Sequence, residues 1–323
     1  MKMKVTILDL EKTSGISKTT ISRYLRGGNV SADKAKKIED AIVECGYIRN
    51  NFAQLLRTSK SNLIAVLIPD LDNPFFLKII KRLEELAQEK GMTLIIKTTQ
   101  RSKEIELKTI EFVRGFQVEV IFLCRSELND ELLENLKIDI PLISLDKEFQ
   151  TIYSIVSDNY KSSFELTKHL LKHIKREVLF FSRLAESTSV HKRISGFMDA
   201  CHEGNKEGLQ YKYDINKGID FDDLFGFVKQ NNIDGIVCRN DNEAVKILSY
   251  FNDKAHREEI YPVKICGFDN IPLSNHTIPR LTTVDQKIEE MCDIAFNVFI
   301  NKIQNSPHII VHEAELIIRA STI

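Results

Sequence analysis

At 323 residues the chain is long enough for about two globular units, and 43% hydrophobic with 28% charged residues excludes collagen, a coiled-coil rod and wholesale disorder. No apolar run approaches the ~20 residues that cross a bilayer, and Met1-Lys2-Met3-Lys4-Val5 leads into Asp9 and Glu11 rather than an apolar signal core. A cytoplasmic protein with no membrane partner is expected. The net charge of −1 hides an asymmetry: residues 1–60 hold 12 Lys and Arg against 6 Asp and Glu, and the remainder holds 33 against 40, which points the head toward a polyanion.

The basic head reads as three short helices. Thr6 can cap the first, with Asp9 at capping-box spacing and Ile7 and Leu10 facing inward, until Gly15 breaks it. Ser17 is the next cap candidate. Ile21, Tyr24 and Leu25 follow at helical spacing and leave Lys18, Thr19, Ser22 and Arg23 on the opposite face, free to meet bases. Ser31 caps a third helix with the stripe Ile38, Ala41, Ile42 and Cys45, ended by Gly46. A generic three-helix bundle is the alternative, but the short polar residues and arginine of the second helix suit a helix-turn-helix in a major groove. Residues 50–57 followed by the polar run 58–62 look like a hinge, with Ala53 and Leu56 on one face. A helix this short orders only when paired or bound.

From residue 63, β-rich runs alternate with helical periodicity, the pattern of parallel sheets covered by helices. The first set has strands over 63–68, 92–97, 118–124 and 141–145, with helices over 75–90, 104–115 and 128–136. The second has strands near 178–181, 211–213, 235–238 and 263–267, with helices near 160–173, 190–204, 221–231 and 242–251. A helix near 287–305 and a strand near 309–318 cross back to complete the first lobe. Ligands on such sheets sit beyond the carboxyl ends of the strands, so two lobes offer a cleft. Arg101, Arg125, Arg183 and Arg239 each follow an expected strand on that edge, with Lys147 and His191 nearby. Two readings stand open: an electropositive site for a sugar acid or sugar phosphate, or rim arginines neutralised by Asp70, Asp72, Asp146 and Asp241.

Catalytic constellations are missing from the sequence: there is no G-x-G-x-x-G, P-loop, H-E-x-x-H or G-x-S-x-G, so no enzyme, cofactor or metal is expected. The six cysteines are scattered without a C-x-x-C pair and read as reduced packing residues. His169 and His173, four apart, read as a solvated face rather than metal ligands.

Several motifs accumulate along the chain. Asp9-Leu10-Glu11, Ser14-Gly15-Ile16-Ser17, Thr20-Ile21-Ser22-Arg23, Val30-Ser31, Gly46-Tyr47 and the Ala53, Leu56 pair stand in the head and hinge. Pro69-Asp70-Leu71-Asp72-Asn73-Pro74-Phe75-Phe76, Asp158-Asn159, Arg193-Ile194-Ser195-Gly196-Phe197, Asn240-Asp241, Gly267-Phe268-Asp269-Asn270 and Leu281-Thr282-Thr283-Val284 stand in the body. In this order they resemble the lactose/galactose repressor (LacI/GalR) family over the whole chain. Departures are Glu11 for the usual Ala, Arg49 for the usual Pro, Lys161-Ser162-Ser163 at the start of a helix, the 172–176 segment, and Asp285.

The resemblance implies an α/β protein: an N-terminal three-helix helix-turn-helix head and hinge helix, then a two-lobed periplasmic-binding-protein-like body of doubly wound parallel sheets. The expected boundaries are 1–48 for the head, 49–61 for hinge and linker, 62–157 plus 286–316 for the first lobe, and 158–285 plus 317–323 for the second. Ser17, Lys18, Thr19, Thr20, Ser22 and Arg23 are expected in the major groove, and by the resemblance Ala53 and Leu56 in the minor groove. The resemblance places Arg193, Asp269 and Asn240 on ligand hydroxyls or acidic groups and Phe75 and Phe221 on its apolar walls. Arg125, Asp146, Ser189 and Gln286 complete the expected effector set. The expected partners are double-stranded DNA with a palindromic operator and a sugar, sugar acid or sugar phosphate effector that changes operator affinity. With no heptad tail before Ile323, a homodimer is expected rather than a dimer of dimers. The expected function is a regulator, most simply a repressor, of carbohydrate-utilisation genes. Alternatives are control by a protein corepressor, activation rather than repression, or a sugar receptor or enzyme on the same body.

Overall fold

The computed structural model describes residues 5–25, 27–47, 61–184, 187–257, 260, 262–303 and 308–323. They fall into two compact units, Met1–Lys60 and Ser61–Ile323.

In the smaller unit, α1 (Ile7–Ser14), α2 (Lys18–Leu25) and α3 (Ala32–Cys45) enclose one small core. Leu10, Ile21, Ile38 and Ala41 are its buried centre, with Ile16, Tyr24, Leu25 and Ile42 packed around them. The caps are those the sequence signals. The Thr6 amide and hydroxyl donate to Asp9 at 2.8 and 2.7 Å, and Gly15 ends α1 in the left-handed region at φ 67°. These Thr6 bonds, the backbone one first, hold the Asp9 carboxyl below its usual range. Glu11, the departure from the family pattern, accepts from the Lys18 amide at 2.8 Å and so satisfies an orphan donor at the start of α2.

The larger unit contains two parallel sheets. The first takes β1 (Leu63–Ile68), β2 (Thr93–Thr98), β3 (Ile121–Cys124), β4 (Leu142–Leu145), β5 (Tyr153–Ser157) and β11 (Ile309–His312), in the order β11-β5-β4-β3-β1-β2. Its helices are α4 (Pro74–Glu89), α5 (Lys103–Arg114), α6 (Asp130–Asn135) and α11 (Ile288–Ile300). Alternation along β1 decides which helix each residue meets: Ile64, Val66 and Ile68 pack with α4 and α11, whereas Ala65 and Leu67 pack with α5 and α6. A near-continuous apolar strand is the mark of a sheet buried on both faces.

The second sheet runs β7-β6-β8-β9, from β6 (Glu177–Arg183), β7 (Gly208–Tyr213), β8 (Ile233–Cys238) and β9 (Lys264–Cys266). Helices α7 (Asn159–Leu171) and α8 (Thr188–Glu203) meet Val178 and Phe180 on one face. Helices α9 (Phe221–Gln230) and α10 (Asp241–His256) meet Leu179 and Phe181 on the other. Each sheet reverses its order once, between β1 and β3 in the first and between β6 and β8 in the second, and such reversals open crevices at the strands' carboxyl ends.

Two local expectations need correction. Residues 153–157 form β5, hydrogen-bonded to β4 and β11, where no strand is expected from the pattern. The polar Ser154 and Ser157 break the apolar run, yet both are buried; Ser154 satisfies its hydroxyl locally, accepting from the Phe149 amide at 3.0 Å. The single strand expected over 309–318 is two. β11 extends the first sheet beside β5, and β12 (Glu315–Ile317) pairs antiparallel with β10 (Thr283–Asp285). An exposed Glu313 marks the break between them.

Candidate functional site: an exposed polar helix and a cationic cleft

In the head, Gly15, Ile16 and Ser17 join α1 to α2 as a short turn. Ile16 faces the core, while Ser17, Lys18, Thr19 and Arg23 are exposed and Thr20 and Ser22 half-buried, so α2 presents a polar, cationic ridge of short side chains. The Ser17 hydroxyl lies 3.1 Å from that of Thr19 and 3.0 Å from that of Thr20, which ties the helix start into one hydroxyl cluster. Ala53 and Leu56 lie outside the described residues.

In the body, a cavity of about 360 Å³ opens at the strand ends of both sheets. Arg101 follows β2, Arg125 follows β3, Lys147 follows β4, Arg183 ends β6 and Arg239 follows β8, and all five line it. Glu127 is the acid among the described lining residues; Ser126, Ser187, Thr188 and Ile215 complete the wall. Burial lowers the Arg101 pKa despite Asp70, and Arg183, Arg125 and Arg239 push it the same way, as expected of guanidiniums crowded round one space.

The supporting carboxylates are specific. Asp70 pairs with Arg101 and Asp146 with Arg125. Glu243 Oε1 is shared by Arg183 at 2.9 Å, Arg239 at 3.2 Å and the Tyr213 hydroxyl at 2.7 Å. Arg125 also lies 5.7 Å from the ring centroids of both Phe75 and Phe76, so Phe75 acts as the aromatic support of a cavity arginine. Lys147 is committed to the Ser126 and Leu128 carbonyls at 2.8 and 2.5 Å and holds that loop.

Beside the cavity lies a buried polar cluster. Arg193, 1% exposed, donates to Asn159 Oδ1 and to the Arg239 carbonyl, each at 2.7 Å, stands 3.8 Å from Asp269 and packs 3.6 Å from the Phe268 ring centroid. Burial lowers its pKa to about 10, while Asp269 and Asp146 oppose the shift. Asp269 moves upward for the same reason, burial outweighing Arg193. Gln286 donates to Asp269 at 2.6 Å, and the Ser189 hydroxyl donates to the Asp146 carbonyl at 2.7 Å, joining the start of α8 to the loop after β4. Four buried atoms here form no hydrogen bond with the described residues: Asp146 Oδ1, Asp269 Oδ2, Gln286 Oε1 and Arg193 Nη2. Three acceptors and one donor left this way are costly unless water or a polar ligand completes them.

Arg101, Arg125, Asp146 and Asp269 adopt positive φ values of 55°, 48°, 65° and 112°, as do nine other non-glycine residues among those described, most of them at turns elsewhere.

Of the expected effector set, Arg125 lines the cavity and Phe75, Asp146, Ser189, Arg193, Asp269 and Gln286 are the buried groups that support or adjoin it. Asn240 has a different task within the chain: its Oδ1 caps α10 by accepting from the Glu243 amide at 3.0 Å, and so places the acid that Arg183 and Arg239 share. Phe221 stands apart, stacked on Tyr250 at 5.1 Å against the second sheet's core, and Ile215 supplies the apolar wall instead. Tyr213 and Glu243, which hold cavity arginines, have no place in the sequence expectations, and Asn159, noted there only as part of the Asp158-Asn159 motif, accepts from Arg193. The Asn240-x-x-Glu243 spacing, that of an N-cap residue and the third helical position, is the available signal for Glu243, whose amide donates to the cap while its carboxylate turns to the arginines.

No helix among the described residues is long and apolar enough to cross a membrane. Residues 61–321 match the model of periplasmic binding proteins and the sugar binding domain of the LacI family, and residues 6–50 match that of bacterial regulatory proteins, lacI family. The chain is 30% identical over 301 residues to the HTH-type transcriptional regulator DegA of Bacillus subtilis, covering 90% of this chain and 88% of that one. A periplasmic binding protein/LacI transcriptional regulator from Alkaliphilus metalliredigens, complexed with D-xylulofuranose, matches 81% of this chain and 99% of its own at 27% identity and a TM-score of 0.69. The lac repressor dimer bound to operator and an anti-inducer shares the fold over 99% of both chains at a TM-score of 0.82 and 19% identity. A helix-turn-helix head, a body of two doubly wound sheets around a polar cleft, and these matches over both parts together place the chain in the lacI family of bacterial regulatory proteins.

Proposed function

We propose that this protein is a sequence-specific transcriptional regulator of carbohydrate-utilisation genes, acting in the cytoplasm as a homodimeric repressor without catalytic activity. The observation that carries the reading is the exposed Ser17, Lys18, Thr19 and Arg23 ridge of α2, set on a head with its own core in a chain whose body holds a polar ligand cleft. Lys18, Thr19 and Arg23 contact bases or the adjacent backbone, and Ser17, Thr20 and Ser22 contact phosphates or bases. A symmetric pair of heads places the two α2 helices in successive major grooves about 34 Å apart, hence on a roughly palindromic operator. A sugar-type effector in the cleft completes Asp146, Asp269, Gln286 and Arg193, and its preference for one lobe arrangement changes operator affinity; coupling of ~1–3 kcal/mol is typical of such linkage.

The test is a gel-shift screen of genomic fragments with the full-length chain at low ionic strength, repeated with a panel of sugars and sugar derivatives. Retention of a discrete set of palindrome-containing fragments, with retention altered by a panel member, is expected. Uniform binding to every fragment, or none, would refute the regulatory reading.

A further inference from the structure

Resting on the regulatory reading above, we propose that Lys78 and Lys192 form a two-point catch between the two halves of the body and act as positioning residues for the regulatory response. Lys78 on α4 holds the loop after β9, and Lys192 on α8 holds the loop after β4. The catch sets how readily the two sheets part, and with it the operator affinity of the chain before any effector acts.

Each contact joins elements that belong to different sheets. Lys78, one turn into α4, donates from its ammonium to the Asn270 carbonyl at 2.6 Å. Phe75, Phe76 and Ile79 pack α4 on the first sheet, whereas Asn270 follows β9 of the second. The direction of that carbonyl is fixed from three sides. The Asn270 amide donates to Thr283 Oγ1 at 3.2 Å, its side-chain amide donates to Asp285 Oδ2 at 2.8 Å, and its Oδ1 accepts from Arg319 at 2.8 Å. Asp285 is one of the positions at which the chain departs from the family pattern, and here it is an acid that orients this loop. Asp269 precedes Asn270 and is tied by its own amide to the Val284 carbonyl at 2.9 Å, so the held loop is the one that carries a buried polar group of the cleft.

The second contact pairs the Lys192 ammonium with Glu148 Oε1. Lys192 stands three residues after Ser189, whose hydroxyl reaches the Asp146 carbonyl at 2.7 Å, and Glu148 stands two residues after Asp146. The start of α8 and the loop after β4 are therefore joined twice, side by side. The two lysines differ in strength. The Lys192 and Glu148 side chains are 47% and 27% exposed, so water and salt screen their attraction. Lys78 is half-buried, and its charge-assisted bond meets an acceptor whose direction is already fixed, which makes it the stronger of the two. Parting the sheets breaks both contacts at once. Loss of either lysine therefore raises the population of the parted arrangement at both places, which a merely local contact does not do.

The experiment is amide hydrogen exchange read by mass spectrometry on the full-length chain, joined to gel shift with the genomic fragments that the chain retains. Lys78→Met should speed exchange roughly threefold or more in residues 187–193, the segment that carries the other contact. Lys192→Met should speed it in residues 268–275, by a smaller factor. Lys78→Arg, which keeps a cationic donor, should stay close to the original chain. Exchanging the charges, Glu148→Lys together with Lys192→Glu, should restore what Lys192→Met loses. Without added sugar, Lys78→Met should also change affinity for a retained fragment by roughly threefold or more. Exchange that rises only beside each substitution, or fragment affinity unchanged in both variants, overturns the proposal. Should Lys78→Met fold poorly, Lys192→Met, at an exposed position, carries the same test. The regulatory reading fails separately: coupled exchange in a chain that retains no fragment sinks that reading and leaves the contact between the halves standing, and retained fragments with uncoupled exchange do the reverse.

Discussion

Arg193 ties the loops beside the cavity together. Its Nε and Nη1 are spent on Asn159 and the Arg239 carbonyl, its face lies on Phe268, and Nη2 has no hydrogen-bond partner among the described residues. With a pKa near 10 it stays protonated at neutral pH. Lysine keeps the charge but not the planar fork, so Arg193→Lys should weaken effector binding by ~1.5–3 kcal/mol, roughly tenfold to a hundredfold, as read by calorimetry with the effector that releases DNA. The α2 residues make a different kind of prediction, because phosphate contacts set salt dependence whereas base contacts set sequence preference. Lys18→Ala should lower the slope of log affinity against log salt by about 1 and weaken all operators alike. Arg23→Ala should flatten discrimination at one operator base pair by ~1–3 kcal/mol. Titrations over a salt series and a set of single-base operator variants distinguish the two, and the roles exchange if the pattern is reversed.

At the scale of elements, the site depends on how closely helices approach one another. Gly196 lets α8 sit against α7: a Cβ there would lie 2.2 Å from the Tyr160 carbonyl oxygen and 3.0 Å from the Phe164 amide nitrogen, and neither backbone atom can swing aside. Gly196→Ala should therefore cost ~1–3 kcal/mol in urea unfolding, and it should also impair effector binding, since Arg193 is one turn earlier on the same helix. Gly267 has a related reason, with Asp241 Oδ1 where its Cβ would be. Asp241 is fully buried, accepts from Thr283 at 2.6 Å and from the Ile271 amide at 3.0 Å, and so shapes the loop carrying Asp269. Asn240 acts through α10. Removing its cap should cost ~0.5–2 kcal/mol, and Asn240→Asp, which keeps the acceptor, should restore most of it in the same unfolding assay. The tail strand and β5 escaped the sequence pattern at this scale, because which sheet a short strand joins depends on neighbours distant in sequence.

For the whole molecule, the division at residue 60 separates a head with its own small core from a body with four apolar clusters. A fragment starting at Ser61 should bind effector with the full chain's affinity and retain no operator DNA; calorimetry and gel shift on that fragment check both halves of the statement. Loss of effector binding would mean that the head contributes to the cleft. Parallel sheets with one order reversal each bring the ends of β2, β3, β4, β6 and β8 together, and this convergence makes one cavity from five cations spread over residues 101–239.

The sequence alone determined the element types, the three-helix head with its caps and polar α2 face, and the presence of arginines at strand ends, because these follow from local periodicity, cap chemistry and the alternation of strand and helix. Only the tertiary structure decided that Glu243 is the acid shared by two of those arginines, that Asn240 serves α10 as its cap, that Phe221 packs against Tyr250, and that residues 309–317 divide between two sheets. These outcomes rest on contacts between segments far apart in the chain, where burial and hydrogen-bond completion choose among partners that local pattern leaves equivalent.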